Sequence, residues 1–474
     1  MSPDSVRTLA RHDPNRVLFG REVQAIHCVG VGGMGVAPLA IYLAGLGFRV
    51  TGQDDALPED VARQLARAGV DIGEMPADCD LVAYSSAISP QHPAWRAAEA
   101  RGVPRVRRGE LLAEVVRDRK LVAVCGSHGK TTTTSMLITA IRASGFPAGY
   151  VLGGLFADDT PPAAAGENEW VVAEIDESDG TIERFSPEIT LIVNLDWDHP
   201  DHYRRLADLE RTFAELCART RQAVLVSDAC ALSGRLVAGS AKVATFGRAG
   251  EFGAVLEEET SIGLRLKLHG RFSISEALVH ARGEFNATNA TAALAALQTM
   301  GGALNASLLS GYTGVRRRQT VLVDARGLTV IEDYAHHPAE IRALLGSLRG
   351  RVGATGRLVV VFQPHRFSRT AQFKAEFAAV LSLADSLHLL DVYPAGEAPI
   401  AGGTTADIYA ELKRVSGALP VSYLPGDREG FFRALSDDVR RGDLVAFVGA
   451  GDIDRRAREW LKLEGLFHER QSLG

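Results

Sequence analysis

Cysteine is scarce in this chain of 474 residues: Cys28, Cys79, Cys125, Cys217 and Cys230 are its five, none in a CxxC pair or at metal-ligand spacing. Their scatter and odd number exclude a disulfide framework and read as buried thiols of a reducing compartment. Long apolar runs are missing as well. The longest, near Val36 to Leu46, is too short to span a bilayer, and early charges at Asp4, Arg7, Arg11 and Asp13 leave no apolar core before a cleavage site. Neither export nor membrane insertion is expected, and the chain reads as cytoplasmic. There is no excess of one charge either: 52 Lys and Arg against 58 Asp and Glu leave a net −6. No global field draws the chain to nucleic acid or an anionic membrane, so any anion it binds must be caught locally. No period of roughly 20 to 50 residues recurs, which excludes solenoids and propellers.

What is present is ordinary globular composition, 46% apolar and 23% charged, which excludes disorder, collagen and coiled coil. At roughly 150 residues per domain the length predicts about three domains. Runs rich in Val and Ile alternate with Ala- and Leu-rich segments of helical period. This is the pattern of βαβ units around doubly covered parallel sheets, so the class is α/β. Three strand-to-helix transitions punctuate the chain: Ala25 to Gly35 (AIHCVGVGGMG), Leu121 to Thr134 (LVAVCGSHGKTTTT) and a less regular restart at Leu328 to Tyr334. Each is expected to open a domain, over residues 1–118, 119–325 and 326–474. The basic stretch Arg101 to Lys120 reads as the end of the first domain and a linker. The arginine-heavy stretch Gly311 to Asp324 reads as the second boundary, and Pro161 to Gly166 as a surface loop.

The first turn places Gly30, Gly32, Gly33, Met34 and Gly35 between a strand and a helix, where backbone can approach a pyrophosphate. Asp54 follows the next strand, Phe48 to Gly52, in the position of a ribose-binding acid. A dinucleotide and a sugar nucleotide both fit, and so does tight helix-on-sheet packing without a ligand. The second turn is sharper. Gly126, Ser127, His128, Gly129, Lys130 and Thr131, with Thr132 opening a helical pattern, read as a phosphate-binding loop two residues shorter than the common one. Its backbone N–H groups can cradle phosphates, Lys130 can neutralise the β and γ charges, and the Thr131 hydroxyl can hold Mg²⁺.

Downstream, Val171 to Gly180 (VVAEIDESDG) and Leu191 to His202 (LIVNLDWDHPDH) each end an apolar strand in acids, the second in Asp196, Asp198, His199 and Asp201. In an open parallel sheet both strand ends face the loop, which makes Glu174 and His199 candidate Mg²⁺ ligands beside Thr131. Taken singly, these are also ordinary solvated or capping residues. Later come Glu332 to Ile341 (EDYAHHPAEI) and Val359 to Thr370 (VVVFQPHRFSRT), again strands followed by polar clusters. His336, His337, His365, Arg366 and Arg369 can hold a carboxylate and stabilise a transition state. His337 before Pro338 equally suits a helix N-terminus, and Arg316, Arg317 and Arg318 a solvated face.

In order and over almost the whole length, these motifs resemble the Mur ligases, the ATP-dependent amide-forming family of peptidoglycan synthesis. The matching segments are HCVGVGGMG, YSSAI at Tyr84 to Ile88, RRGELLAE at Arg107 to Glu114, GSHGKTTTT, EIDESDG, NLDWDHPDHY, GEFNATNATAAL at Gly283 to Leu294, GVRRR, DYAHHPAE, QPHRFSRT, DVYPAGEAPI at Asp391 to Ile400, and VGAGDI at Val448 to Ile453. The resemblance implies a Rossmann-like N-terminal domain for the UDP moiety, a central P-loop ATPase domain with a parallel sheet, and a Rossmann-like C-terminal α/β domain that closes over the site. It implies addition of L-alanine to the carboxylate of UDP-N-acetylmuramate through an acyl phosphate, with ATP and Mg²⁺, by a monomer or homodimer. By motif, Gly32, Gly33, Met34, Gly35, Asp54, Ser85, Ser86 and Arg108 fall on the UDP substrate. Asn286 and Asn289 would face the adenine, Asp333 the ATP ribose, and Arg317 of the arginine run the phosphates. Tyr334, His336, His337, His365, Arg366 and Arg369 would surround the amino acid. Lys130, Glu174, His199, His337 and Arg366 form the implied catalytic set.

Some members of the family place a carbamylated lysine beside a second magnesium, but no lysine occurs here between Lys130 and Lys242. That fits the alanine-adding branch. A tripeptide-attaching branch shares the AHHP form at Ala335 to Pro338 but differs in its counterpart of QPHRFSRT, and ranks second. The chain departs from the family at Phe285, where a histidine is usual, at Gln319 for an aromatic, at Glu332 for an aspartate, and at Val36 and Ala37 for a hydroxyl residue. Two readings from other classes remain: a nicotinamide-dependent oxidoreductase, argued from the first turn alone, and a nucleotide-binding regulator without turnover. The first leaves GSHGKTTTT without purpose, and the second would be favoured only if Lys130, Glu174 or His199 were missing.

Overall fold

The computed structural model describes residues 17–466 except 86–87, 198–201, 204, 237–238, 326 and 354. The chain forms two compact units, one ending at Val315 and one beginning at Arg316. The first unit contains two mainly parallel sheets and the second contains one.

In the first sheet the order is Asp71–Ile72, Arg49–Gln53, Ala25–Val29, Leu81–Tyr84, Arg105–Arg107, all parallel. Ala25–Val29 is buried along its whole length, as expected of a strand covered on both faces. Its one polar side chain, His27, is satisfied inside the sheet, with Nδ1 2.8 Å from Thr51 Oγ1 and Nε2 3.0 Å from Gln53 Oε1. Later strands add on either side of Ala25–Val29, so its carboxyl end lies at a topological switch point, and Gly30 starts there. The segment expected to be a linker instead carries the edge strand Arg105–Arg107 and the helix Arg108–Val115. A half-exposed three-residue edge strand of sequence RVR has no apolar run to announce it. Val36 and Ala37 are buried in the core at the head of the helix Ala37–Gly45, so these two departures serve packing.

The second sheet has a parallel centre ordered Gly149–Val151, Trp170–Glu174, Lys120–Cys125, Ile189–Ile192, Ala223–Ser227, Val243–Gly247. Phe252–Thr260 joins Val243–Gly247 in parallel, and Gly263–Gly270 and Glu276–Val279 follow antiparallel. At the other edge Ala163–Ala164 pairs antiparallel with Gly149–Val151. The tract expected to be a surface loop is thus a short strand, its small side chains lying under the helix Ala37–Gly45. Lys120–Cys125 lies between Trp170–Glu174 and Ile189–Ile192, a second switch point from which the helix Lys130–Ser144 departs. The helix Glu284–Thr299 packs on Lys130–Ser144 through a run of buried alanines that permits close approach. Lys130 is the first residue of its helix, two positions earlier than the sequence pattern indicates.

In the second unit the order is Thr320–Ala325, Leu328–Asp333, Leu444–Val448, Leu358–Phe362, Ser386–Leu389, Val421–Tyr423, with only the first pairing antiparallel. Pro338–Arg349, Phe367–Leu381 and Thr405–Val415 cover one face and Arg428–Asp438 and Ile453–Leu463 the other. Among the described residues no helix is long and apolar enough to cross a membrane. All five cysteines are free thiols, and burial pushes Cys28 up to about 12, far from reactivity.

Alternation along Leu328–Asp333 sends Glu332 and Asp333 to opposite faces. Glu332, 1% exposed, receives both arms of Arg458 at 2.6 and 3.0 Å. The extra methylene relative to the family's aspartate carries a carboxylate that meets a bidentate partner. Arg458→Ala should leave that carboxylate buried and unpaired, costing about 2 kcal/mol, measurable as a fall in urea midpoint at unchanged slope. Glu332→Gln combined with Arg458→Ala should recover part of the loss.

Candidate active site

Three clusters stand at carboxyl ends of strands. At the first, Gly30 N–H donates to Gln53 O at 2.9 Å and Gly32 N–H to Asp54 Oδ2 at 2.8 Å. The second Asp54 oxygen accepts from Ala56 N–H at 2.9 Å, so the acid placed here for a ribose also holds the glycine turn in shape. The Arg108 side chain lies over Gly35, where an added Cβ would come within 3.2 Å of its Nε, and its guanidinium is 3.6 Å from Asp179. Ser85 packs against Gly30, Met34 lies half-buried against the core, and Gly33 O accepts from the N–H groups of Val36 and Ala37. Ser86 lies outside the described residues, as do His199, Asp198 and Asp201. Asp179 and Arg107 were not singled out by sequence, yet Arg107 donates to Asp179 O at 2.8 Å and the two segments are thereby tied.

The second cluster is the turn from Gly126 to Thr131, expected from its sequence to bind phosphate. Gly126 has φ +121°, and a Cβ there would run into the Asn194 carbonyl, so only glycine fits. Asn194 staples the loop: it accepts from His128 N–H and donates to His128 O, each at 2.9 Å, and its own carbonyl accepts from Ser127 N–H at 3.1 Å. Ser127 Oγ and the Asp196 backbone exchange hydrogen bonds of 2.8 and 2.9 Å, and His128 Nε2 lies 3.2 Å from the Asp196 carboxylate. Lys130 donates to Gly126 O at 2.6 Å and to both oxygens of Glu177 at 3.1 Å. Burial works against its charge, but Glu177, then Asp176 and Glu174, outweigh it and hold the ammonium well above its ordinary pKa. Glu177 is 2% exposed and Tyr203 donates to its backbone carbonyl at 2.9 Å. Sequence reading passed over both; the adjacent EIDESD run offers several acids, and periodicity cannot say which one turns inward.

Beside Lys130, the Thr131 hydroxyl donates to Glu174 Oε1 at 3.0 Å, and Gly153 N–H donates to Glu174 Oε2 at 3.1 Å. A Cβ on Gly153 would come within 2.5 Å of that oxygen. Thr132 continues the first turn of the helix, half-buried. Asn286 and Asn289 are buried and linked to each other at 3.1 Å; Asn289 also accepts from Thr133 at 3.2 Å, and Asn286 donates to Arg282 O at 2.7 Å. Asn289 thus ties the two packed helices together, Asn286 fastens the start of its own helix, and Phe285, directly before Asn286, is half-buried.

The third cluster belongs to the second unit. Asp333 accepts from Gln319 N–H at 2.8 Å and Ala335 N–H at 2.7 Å. Burial pushes its carboxyl up to about 6, against the pull of Arg318 and these two amides. Arg317, at φ +60°, donates to the carbonyls of Gly451 at 2.6 Å and Gly449 at 3.3 Å. Its guanidinium and that of Arg318 lie 4.7 and 4.9 Å from the Tyr334 ring. His336 and His365 meet edge to face at 5.8 Å, and Tyr393 stacks on His365 at 5.8 Å. Arg369, 3% exposed, donates to His365 Nδ1 at 3.3 Å, and because a guanidinium only donates, the His365 proton must sit on Nε2. His337 is the N-cap of Pro338–Arg349: its Nδ1 accepts from Ala339 N–H at 3.3 Å and Glu340 reaches back to its N–H at 3.2 Å. The geometry gives His337 the capping role that its place before Pro338 allows.

The family models that match are "Mur ligase family, catalytic domain" over residues 25–120, "Mur ligase middle domain" over 124–297 and "Mur ligase, glutamate ligase domain" over 316–451. A protein of Myxococcus xanthus named UDP-N-acetylmuramate–L-alanine ligase is 36% identical over 468 residues, 96% of this chain and 98% of its own. Among solved structures, a UDP-N-acetylmuramate-alanine ligase of Thermotoga maritima superposes with TM-score 0.76 at 26% identity, covering 93% of this chain and 99% of that one. A murein peptide ligase of Psychrobacter arcticus follows the same fold, with TM-score 0.68 at 20% identity and coverage of 94% and 100%.

His365 is held at about 2, first by burial and then by His336, Arg369, Arg366 and Arg317. An unfolded histidine takes up its proton near 6.5, while this one stays neutral until far lower, so its contribution to stability is present above about 6.5 and falls by up to about 1.4 kcal/mol per pH unit below that. Its ring resonances, identified by loss in His365→Gln, should not move between about pH 5 and pH 9.

Proposed function

The chain belongs to the Mur ligase family, and from that premise we propose that it joins L-alanine to the carboxylate of UDP-N-acetylmuramate at the expense of ATP. The observation that carries the substrate assignment is identity of 36% over 96% of the chain with a relative named for that reaction. The chemistry has two balanced steps. A carboxylate oxygen of the muramoyl group attacks the γ-phosphorus and ADP leaves; the alanine amine then attacks the acyl carbon, phosphate leaves, and the amine proton is lost.

The first step needs positioning and charge neutralisation more than covalent help. The N–H groups from Gly129 to Thr132, beyond the two that Asn194 holds, and the Lys130 ammonium are assigned that work. Magnesium fits Thr131 and Glu174, hard oxygen donors 3.0 Å apart at the mouth of the loop. An ion held by so few protein ligands is one that keeps water and phosphate oxygens. When bound, the ion neutralises developing charge on the phosphate oxygens. His199 is assigned beside it by motif.

The UDP moiety is assigned to the turn from Gly30 to Gly35 with Asp54, Ser85, Ser86 and Arg108; ribose to Asp333, adenine to the Asn286 and Asn289 segment, and phosphate also to Arg317. Tyr334, His336, His365, Arg366 and Arg369 receive the amino acid, whose carboxylate matches their guanidinium groups. The uncharged His365 presents no imidazolium to the incoming amine. The water-soluble, polar chemistry of these substrates supports a cytoplasmic setting; a monomer or homodimer is proposed.

The test is phosphate release from ATP with magnesium, UDP-N-acetylmuramate and alanine, serine or glycine, each component omitted in turn. Release should need every component and be fastest with L-alanine, and Lys130→Ala should abolish it in a folded chain. Release only with a tripeptide acceptor would overturn the alanine assignment. Gly153→Ala should push the flexible end of Glu174 away from Thr131 without unfolding the chain, lowering turnover by roughly 100-fold. A turnover within twofold of the parent would remove Glu174 from the site.

A further inference from the structure

The helix Phe367–Leu381 begins badly by its own sequence. Its N-cap is Arg366, at φ +68°, with no side-chain hydrogen bond to the first turn. A left-handed conformation costs a residue that is not glycine, and a cation at a helix N-terminus opposes the dipole. Arg366 itself and Arg369 in the first turn belong to the amino-acid cluster, so the strained start holds two of its residues.

The missing cap comes from elsewhere in the chain. Glu397 accepts from Ser368 N–H at 3.0 Å and from Ser368 Oγ at 2.7 Å, and lies 3.8 Å from the Arg366 guanidinium. One carboxylate thus satisfies an orphan amide, places negative charge at the N-terminus and faces the arginine. The segment 391–403 that carries it is laid against the helix start. Tyr393 O accepts from Arg366 N–H at 2.9 Å, Tyr393 N–H donates to Pro364 O at 2.8 Å, and the Tyr393 ring stacks on His365. At the far end Gly403 fits so closely that a Cβ would come within 2.5 Å of Phe367 O.

We propose that Glu397 is a positioning residue for the acceptor amino acid, acting from segment 391–403 by capping Phe367–Leu381 and so holding Arg366 and His365 in place. This rests on the assignment of that cluster to the amino acid. A residue that only stabilised the fold would not affect one substrate selectively. Glu397→Ala in the full chain should therefore raise the KM for L-alanine by roughly 10-fold or more. The KM values for ATP and UDP-N-acetylmuramate should stay within twofold and kcat should change less than the alanine KM. Glu397→Asp should restore part of the effect, and the isosteric Glu397→Gln serves where the alanine variant does not fold. An alanine KM within twofold of the parent in the folded variants, or equal increases for all three substrates, would overturn the proposal while leaving the function intact. Absence of alanine-dependent phosphate release from the parent chain would overturn both.

Discussion

A parallel strand covered on both faces can offer chemistry only where it stops. Its interior side chains are spent on packing, and its backbone groups on the ladder. In this chain the polar clusters follow that constraint: Gly30 comes after Ala25–Val29, Gly126 after Lys120–Cys125, Tyr334 after Leu328–Asp333, Gln363 after Leu358–Phe362 and Gly449 after Leu444–Val448. Each strand end feeds a turn that opens or faces a helix start, so backbone N–H groups and cationic side chains gather where anions are to be held.

Carboxylates at these ends are kept in several physically distinct ways. Glu174 is held by a hydroxyl and one backbone amide, Glu177 by an ammonium, Asp333 by two amides, and Glu332 by a guanidinium on the opposite face of its sheet. The distinction separates tasks. A carboxylate held by neutral donors still has oxygen lone pairs to offer a partner, whereas one paired with a guanidinium is already neutralised and serves the fold.

The alternation of apolar runs and helical segments made the α/β class legible, and the glycine turns were legible because their spacing has a steric cause. Lys130, Thr131 and Glu174 could be singled out for the same reason: loop and strand end are both marked in the sequence. Glu177, Asp179 and Glu397 did not. Each acts on a residue distant in the chain, and one acid among several in a polar run carries no local mark of which way it points. Arg105–Arg107 was missed because an edge strand need not be apolar, and Ala163–Ala164 because small residues at a helix contact resemble loop composition. His337 shows the reverse limit: its pattern suited both chemistry and a cap, and only the Ala339 and Glu340 contacts display the cap.

The contact between Lys130 and Glu177 gives the phosphate loop a resident counter-anion. Under the proposed function, a phosphate reaching this lysine trades places with, or shares, a carboxylate that cannot leave. Affinity at the loop is then a difference between two anions competing for one ammonium. Stray anions gain little by entering, since they must outcompete a tethered rival, while a nucleotide that, as proposed, also engages the backbone amides of Gly129 to Thr132 has the additional contacts to win the exchange.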